Sequence, residues 1–83
     1  MILRVVAAAV CGPHHLSLTF NDGSSGVADL GPLLDGPIFE PLREPAYFAR
    51  GELDRVSGTV AWPNGADFAP ETLHAVVREA VGV

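Results

Sequence analysis

Trp62-Pro63-Asn64-Gly65-Ala66-Asp67 is the stretch whose reading decides the fold. Pro63 has no N–H to give to a ladder and drives Trp62 into an extended conformation, so a strand ends there. Asn64-Gly65 is turn chemistry. Trp62 carries a large ring that a small domain has to bury at a sheet edge. Asp67 is suited to accept turn amides or to sit near the positive end of a following helix. A tryptophan beside a polar turn also fits an interface anchor, because tryptophan is enriched in binding hot spots. Trp62, Pro63, Asn64, Gly65 and Asp67 are therefore the candidate interaction residues, although turn and helix-start chemistry explains most of them without a ligand.

Downstream, Pro70 suits the first position of a helix. With Ala69 as N-cap, Phe68 and Leu73 take the two positions of a hydrophobic staple. Leu73, Val76, Val77, Ala80 and Val81 recur at the spacing of one helical face, which predicts a buried stripe. His74, Arg78 and Glu79 fall off that stripe and are expected in water. Gly82 is expected to cap the helix.

Upstream, Leu53 to Ser57 and Thr59 to Trp62 read as a hairpin turning at Gly58. Earlier still, Leu16, Leu18 and Phe20 alternate with Ser17, Thr19 and Asn21, the pattern of a half-buried strand. Asn21-Asp22-Gly23 then predicts a tight turn into an antiparallel strand over Ser24 to Asp29. Ile2 to Val10 reads as the first strand, broken by Cys11-Gly12-Pro13. Arg4 is its only charge, so both its faces are expected to be largely covered. Between Leu30 and Gly51, Pro32, Pro37, Pro41 and Pro45 forbid a long helix. Short helical turns are expected at Pro32 to Asp35 and about Phe39 to Arg43, then an ordered loop through Tyr47 and Phe48. Leu33, Leu34, Ile38, Phe39, Leu42 and Phe48 should cap one side or edge of the sheet. The order β-β-β, short helical segments, β-β, α defines one α+β domain over residues 1–83, with a mostly antiparallel sheet.

Composition narrows the function. The chain has 83 residues, 48% of them hydrophobic, with five arginines, no lysine, ten carboxylates and a net charge of −5. Nucleic-acid binding draws on clustered basic residues. Arg4, Arg43, Arg50, Arg55 and Arg78 are scattered in sequence, so no direct nucleic-acid partner and no membrane surface are expected. The apolar opening, Met1 to Val10, is too short for a signal peptide with a basic leader. No apolar run approaches the ~20 residues that span a bilayer. A single cysteine, Cys11, fits a reducing, cytoplasmic setting.

No catalytic, cofactor-binding or metal-ligating residues are assigned. His14 and His15 are adjacent and would point to opposite faces of a strand. With Cys11 they still fall short of the four ligands of a structural zinc site, so they are expected to be exposed. Cys11 lacks the helix N-terminus or cation that would activate it, and is expected to be a buried or half-buried thiol. Asp22, Asp29, Asp35 and Asp67 stand beside turns or helix starts, where carboxylates accept backbone N–H groups. No phosphate-cradling glycine pattern is present. The expectation is a protein without enzymatic activity or cofactor.

Several short motifs, taken in order, resemble one family. They are Phe20-Asn21-Asp22-Gly23, Asp29-Leu30, Phe39-x-x-Leu42, Phe48, Gly58-Thr59-Val60-x-Trp62-Pro63-Asn64-Gly65-x-Asp67 and Pro70-Glu71-x-Leu73. Their order and spacing, over nearly the whole chain, resemble the bacterial domain of unknown function 2442. The resemblance implies a small α+β domain with no established activity, substrate or cofactor. Some relatives carry it ahead of a helix-turn-helix domain, and others are small proteins encoded beside a second short protein, as toxin–antitoxin pairs are. This chain ends at Val83 without such an appendage, so any DNA role is expected to pass through a partner. The Leu30-Gly31-Pro32-Leu33-Leu34-Asp35-Gly36-Pro37 stretch departs from the family in its glycine and proline content. The leading expectation is a non-enzymatic interaction or regulatory module with a small protein partner, antitoxin-like in kind. The alternatives are a shallow small-molecule or weakly enzymatic site near Trp62 and Asp67, and a structural homo-oligomer joined through a sheet edge or the apolar middle segment.

Overall fold

In the computed structural model the backbone is described for residues 2–81 and the side chains for residues 2–78. The predicted cap at Gly82, and the places of Glu79, Ala80 and Val81 on or off the helical stripe, lie outside the described residues. Three strands, β1 (Val5–Gly12), β2 (His15–Phe20) and β3 (Ser25–Asp29), form an antiparallel meander in the order β1-β2-β3. The alternation read in β2 sets the register. Leu16 lies opposite Val10 and Ala28, and Leu18 opposite Ala8 and Gly26. Leu16, Leu18, Phe20 and Ala28 are buried on the inner face. The β2–β3 turn closes with Phe20 N–H on the Ser24 carbonyl (2.9 Å) and Gly23 N–H on the Phe20 carbonyl (3.1 Å). Gly23 takes φ 89°, so the glycine supplies the left-handed residue of a three-residue turn.

β1 differs from expectation. It starts at Val5 rather than Ile2, and of its residues only Val5 is buried, while Val6, Ala7, Ala9 and Cys11 are exposed. The reason is one of layers. The long helix packs with the core residues on the inner face, and no described element covers the outer one. Arg4 instead folds its guanidinium onto the carbonyls of Arg55 (2.6 Å) and Val56 (3.2 Å).

The proline-punctuated middle forms 3₁₀ turns at Gly31–Leu33 and Glu40–Arg43, and then α1 (Pro45–Phe48). The loop expected through Tyr47 and Phe48 is thus one helical turn, because Pro45 sits in the first turn, where a missing N–H costs nothing. Leu34, Leu42 and Phe48 enter the core, but Leu33 and Ile38 remain 36% and 47% exposed.

β4 (Glu52–Asp54) and β5 (Thr59–Ala61) form a separate two-stranded sheet. Its turn closes at Gly58 (φ 71°), whose N–H donates to the Asp54 carbonyl at 2.8 Å. The Asp54 carboxylate accepts from Val56 N–H (2.9 Å) and Ser57 N–H (3.3 Å). The last element, α2 (Pro70–Val81), begins where its proline predicts. The Ala69 carbonyl accepts from Thr72 and Leu73, as an N-cap does. Leu73 and Val77 are buried, and Phe68 joins them in the core. His74 is a correction: it does not face water but lays its ring edge against Phe20, with centroids 5.0 Å apart. The fold is α+β, and none of its described helices is long and apolar enough to cross a membrane.

Candidate functional site

The candidate residues divide by what their side chains do. Trp62 is 3% exposed. Its indole N–H donates to the Phe48 carbonyl at 2.8 Å, and its ring meets Phe48 and Phe68 at 5.3 and 5.9 Å between centroids. The following turn is held from both ends. Trp62 N–H donates to the Ala66 carbonyl and Gly65 N–H to the Trp62 carbonyl, each at 2.9 Å, with Gly65 at φ 89°. The Asn64 amide ties this turn to the proline-rich segment: Nδ2 donates to the Ile38 carbonyl (2.9 Å) and Oδ1 accepts from Ala66 N–H (3.0 Å). Pro63 and Asp67 face solvent. The backbone of Asp67 bridges to Ala61. Its carboxylate makes no hydrogen bond or ion pair among the described residues, whereas Trp62, Asn64, Gly65 and Ala66 close the turn through hydrogen bonds.

Beside this turn an open groove of about 510 Å³ runs along the β4–β5 hairpin. Leu53, Ala61, Trp62 and Pro63 supply its apolar part, and Arg50, Arg55, Glu52 and Asp54 its charged rim. Arg50 stacks its guanidinium 5.4 Å from the Tyr47 ring centroid, a cation–π contact that leaves its N–H groups free toward solvent. Neither Arg50 nor Arg55 forms an ion pair among the described residues. Arg55 also lines a neighbouring hollow of about 170 Å³ with Arg4. Three of the arginines that are scattered in sequence therefore surround one hairpin. Arg50 and Arg55 flank β4 in sequence, but no sequence signal marks the arrival of Arg4, since it depends on β1 and the hairpin meeting, through Val5 N–H on the Gly58 carbonyl at 2.8 Å. Trp62 lines the groove, whereas Asp67 lies outside its lining.

Most of the remaining candidates are engaged structurally. His14 and His15 are half-buried rather than exposed. His14 Nε2 lies 2.7 Å from the Arg43 carbonyl and its ring stands edge-on to Phe48. His15 Nδ1 lies 2.7 Å from the Pro13 carbonyl, with Nε2 3.8 Å from Asp29. Cys11 is exposed, against the expectation of a buried thiol, because β1 has an open outer face. Among the described residues no group of three or more His, Cys, Asp or Glu side chains could hold a metal. Asp22 and Asp29 accept backbone N–H groups of Ser24 and Gly31 as expected, while Asp35 pairs with Arg43 at 2.9 Å. Asp22 also reaches His74 Nε2 at 3.0 Å. The Ser24 hydroxyl and then its N–H hold the Asp22 carboxyl below the usual carboxylate value; burial opposes them, and His74 adds to the lowering.

The fold has a close likeness among solved structures. The crystal structure of "Putative DNA Binding Protein NE0471" from Nitrosomonas europaea superposes with a TM-score of 0.84 at 25% sequence identity. The match covers 99% of this chain and 53% of that one, so this chain spans about half of its neighbour's length. That finding overturns the expectation of no direct nucleic-acid partner, which rested on scattered arginines and a charge of −5. Net charge sums over the whole surface, whereas binding responds to the local field. No curated protein matches this chain. The family model described as a protein of unknown function, DUF2442, matches residues 5–79. With that match over most of its length, the chain belongs to the DUF2442 family.

Proposed function

We propose that this chain is a non-enzymatic interaction module of the cytoplasm, regulatory in role and antitoxin-like in kind, which grips a small protein partner in the groove beside the β4–β5 hairpin. The observation that carries this reading is the groove itself: apolar Leu53, Trp62 and Pro63 lie beside the guanidiniums of Arg50 and Arg55, which form no ion pair among the described residues. Aromatic, apolar and arginine side chains dominate binding energy at interfaces. Glu52 and Asp54 on the same rim give the groove mixed charge, which suits a segment carrying charges of both signs. Trp62, 3% exposed, forms part of the groove wall and is held rigid by its own hydrogen bond, so binding there would not have to order it.

The test is co-expression with the product of the adjacent gene, wild type against Arg50→Ala/Arg55→Ala. Both residues are exposed, so the double variant should stay folded while copurification falls at least roughly tenfold, as loss of two charged contacts implies. Copurification unchanged in the double variant removes the groove from the interface, and a clean wild-type monomer recovered alone removes the reading.

A second reading has its own support, the DNA-binding description of the solved neighbour. In it the guanidiniums of Arg50, Arg55 and Arg4 meet the phosphate backbone. Anisotropy of a labelled duplex against wild type should then show binding that weakens linearly on a log–log salt plot, with a smaller slope for Arg50→Ala/Arg55→Ala. A flat titration at low salt ends this second reading.

A further inference from the structure

We propose that β1 is a self-pairing edge, through which two copies of this chain join into one continuous six-stranded antiparallel sheet. The geometry starts with β2. Phe20 N–H bonds Ser24 across the turn and the His14 carbonyl accepts from Leu30, so the even-numbered residues of β2 direct their backbone to β3. In an antiparallel ladder the odd ones, Ser17 and Thr19, then bond β1 through their partners Ala9 and Ala7. The backbone groups of Ala8 and Val10 therefore point away from β2. Among the described residues nothing pairs with them, although the same edge is closed further up, where Val5 bonds Gly58.

Such an edge is ordinarily guarded by lysine, proline or an inward charge. Here residues 5–12 read Val-Val-Ala-Ala-Ala-Val-Cys-Gly with no charge and no proline. The two register shifts fall between Val5 and Ala7 and between Val10 and Gly12, at the ends, and leave Ala7 to Val10 regular.

The occupant is a second copy rather than another partner because the free groups are symmetric about Ala9. A dyad there sets Ala8 opposite Val10 of the other copy and Val10 opposite its Ala8, which makes four main-chain hydrogen bonds. The two Ala9 side chains meet on the open outer face, where Ala9 is paired with exposed Ser17. In a chain of net charge −5 two copies repel, and this is a segment where they touch without opposing like charges. The β4–β5 hairpin at Val5 is no obstacle, since the partner strand turns away at its Gly12-Pro13 just there. The pairing is short, so the dimer is concentration-dependent and belongs with small interfaces.

The test uses cysteines in a Cys11→Ser background. In the dyad the two Ala9 Cα atoms are about 4.5 Å apart, within disulfide range. Ala9→Cys should form a reducible dimer under mild oxidation roughly tenfold faster than Val56→Cys, because pairing raises effective concentration. Val56, 91% exposed on the hairpin turn, reports random collision. Sedimentation should show wild type shifting to dimer as concentration rises and Ala9→Lys remaining monomeric, since two like charges would face each other across the dyad. Equal cross-linking rates for the two cysteine variants, or wild type that stays monomeric at millimolar concentration, would overturn the proposal. Should Ala9→Lys misfold by circular dichroism, the cysteine pair still decides.

Discussion

Gly51→Ala isolates the contact that seats Trp62. Gly51 does not need its glycine for conformation, as its φ lies outside the left-handed region; it needs it for space. A Cβ at this position would lie 2.6 Å from Trp62 Cε2 and 2.8 Å from both Cζ2 and Nε1. Non-bonded carbons prefer ~3.5–4.0 Å, so the overlap is about 1 Å. Phe48 and Phe68 pack against the ring, and moving it stretches the 2.8 Å hydrogen bond to the Phe48 carbonyl. Overpacking of this kind costs about 1–3 kcal/mol, and weakening that hydrogen bond adds about 0.5–1.5 kcal/mol. Restricting the unfolded chain returns only about 0.4–1 kcal/mol. The net expectation is a loss of about 1–3 kcal/mol, read as a lower urea midpoint by far-ultraviolet circular dichroism at unchanged slope. A double-mutant cycle makes the cause explicit. Phenylalanine at position 62 lacks the indole atoms nearest Gly51, so Gly51→Ala should cost less than half as much in a Trp62→Phe background. A neutral or stabilising Gly51→Ala, or a penalty of full size in that background, would refute the reasoning.

Other consequences follow from the same packing. Trp62→Ala should cost about 3–5 kcal/mol in urea unfolding; a variant that keeps its stability but loses its partner would mark Trp62 as an anchor instead. Thr59 is buried and its hydroxyl donates to the Phe68 carbonyl at 2.5 Å, so Thr59→Val should cost about 1–3 kcal/mol while Thr59→Ser keeps most of it, both read from melting curves. Asn64→Ala severs the tie to Ile38 and should cost about 1–2 kcal/mol, with faster amide exchange across the Ile38 segment. Asp22 is held below the ordinary carboxylate value chiefly by Ser24, and Asp54 by the Val56 and Ser57 N–H groups. Depressed folded values mean that their stabilisation is complete above the unfolded value, about 3.9, and is lost as pH falls through the folded ones. Urea midpoints should therefore fall on acidification, and Asp22→Asn/Asp54→Asn should flatten that fall.

Much of this fold is written in local chemistry. The alternation in Leu16 to Phe20 determines which face of the meander is buried, because successive strand residues point to opposite sides. Gly23, Gly58 and Gly65 mark turns because each takes a positive φ that other residues resist. Pro63 and Pro70 bracket the strand end and helix start for want of an N–H. The motif order that marks the family is likewise a property of the chain. The sites are different. Arg50 and Arg55 flank β4 in sequence, but Arg4 joins them only because β1 touches the hairpin. His74 reads as solvent-facing from its place on the helix, yet Phe20 and Asp22, from the β2–β3 turn distant in sequence, cover it. Cys11 and β1 read as buried because apolar composition records what can be covered, not what is. Which face a second layer covers, and which strand edge it leaves open, depends on contacts between residues far apart in sequence, and only the tertiary structure decides those.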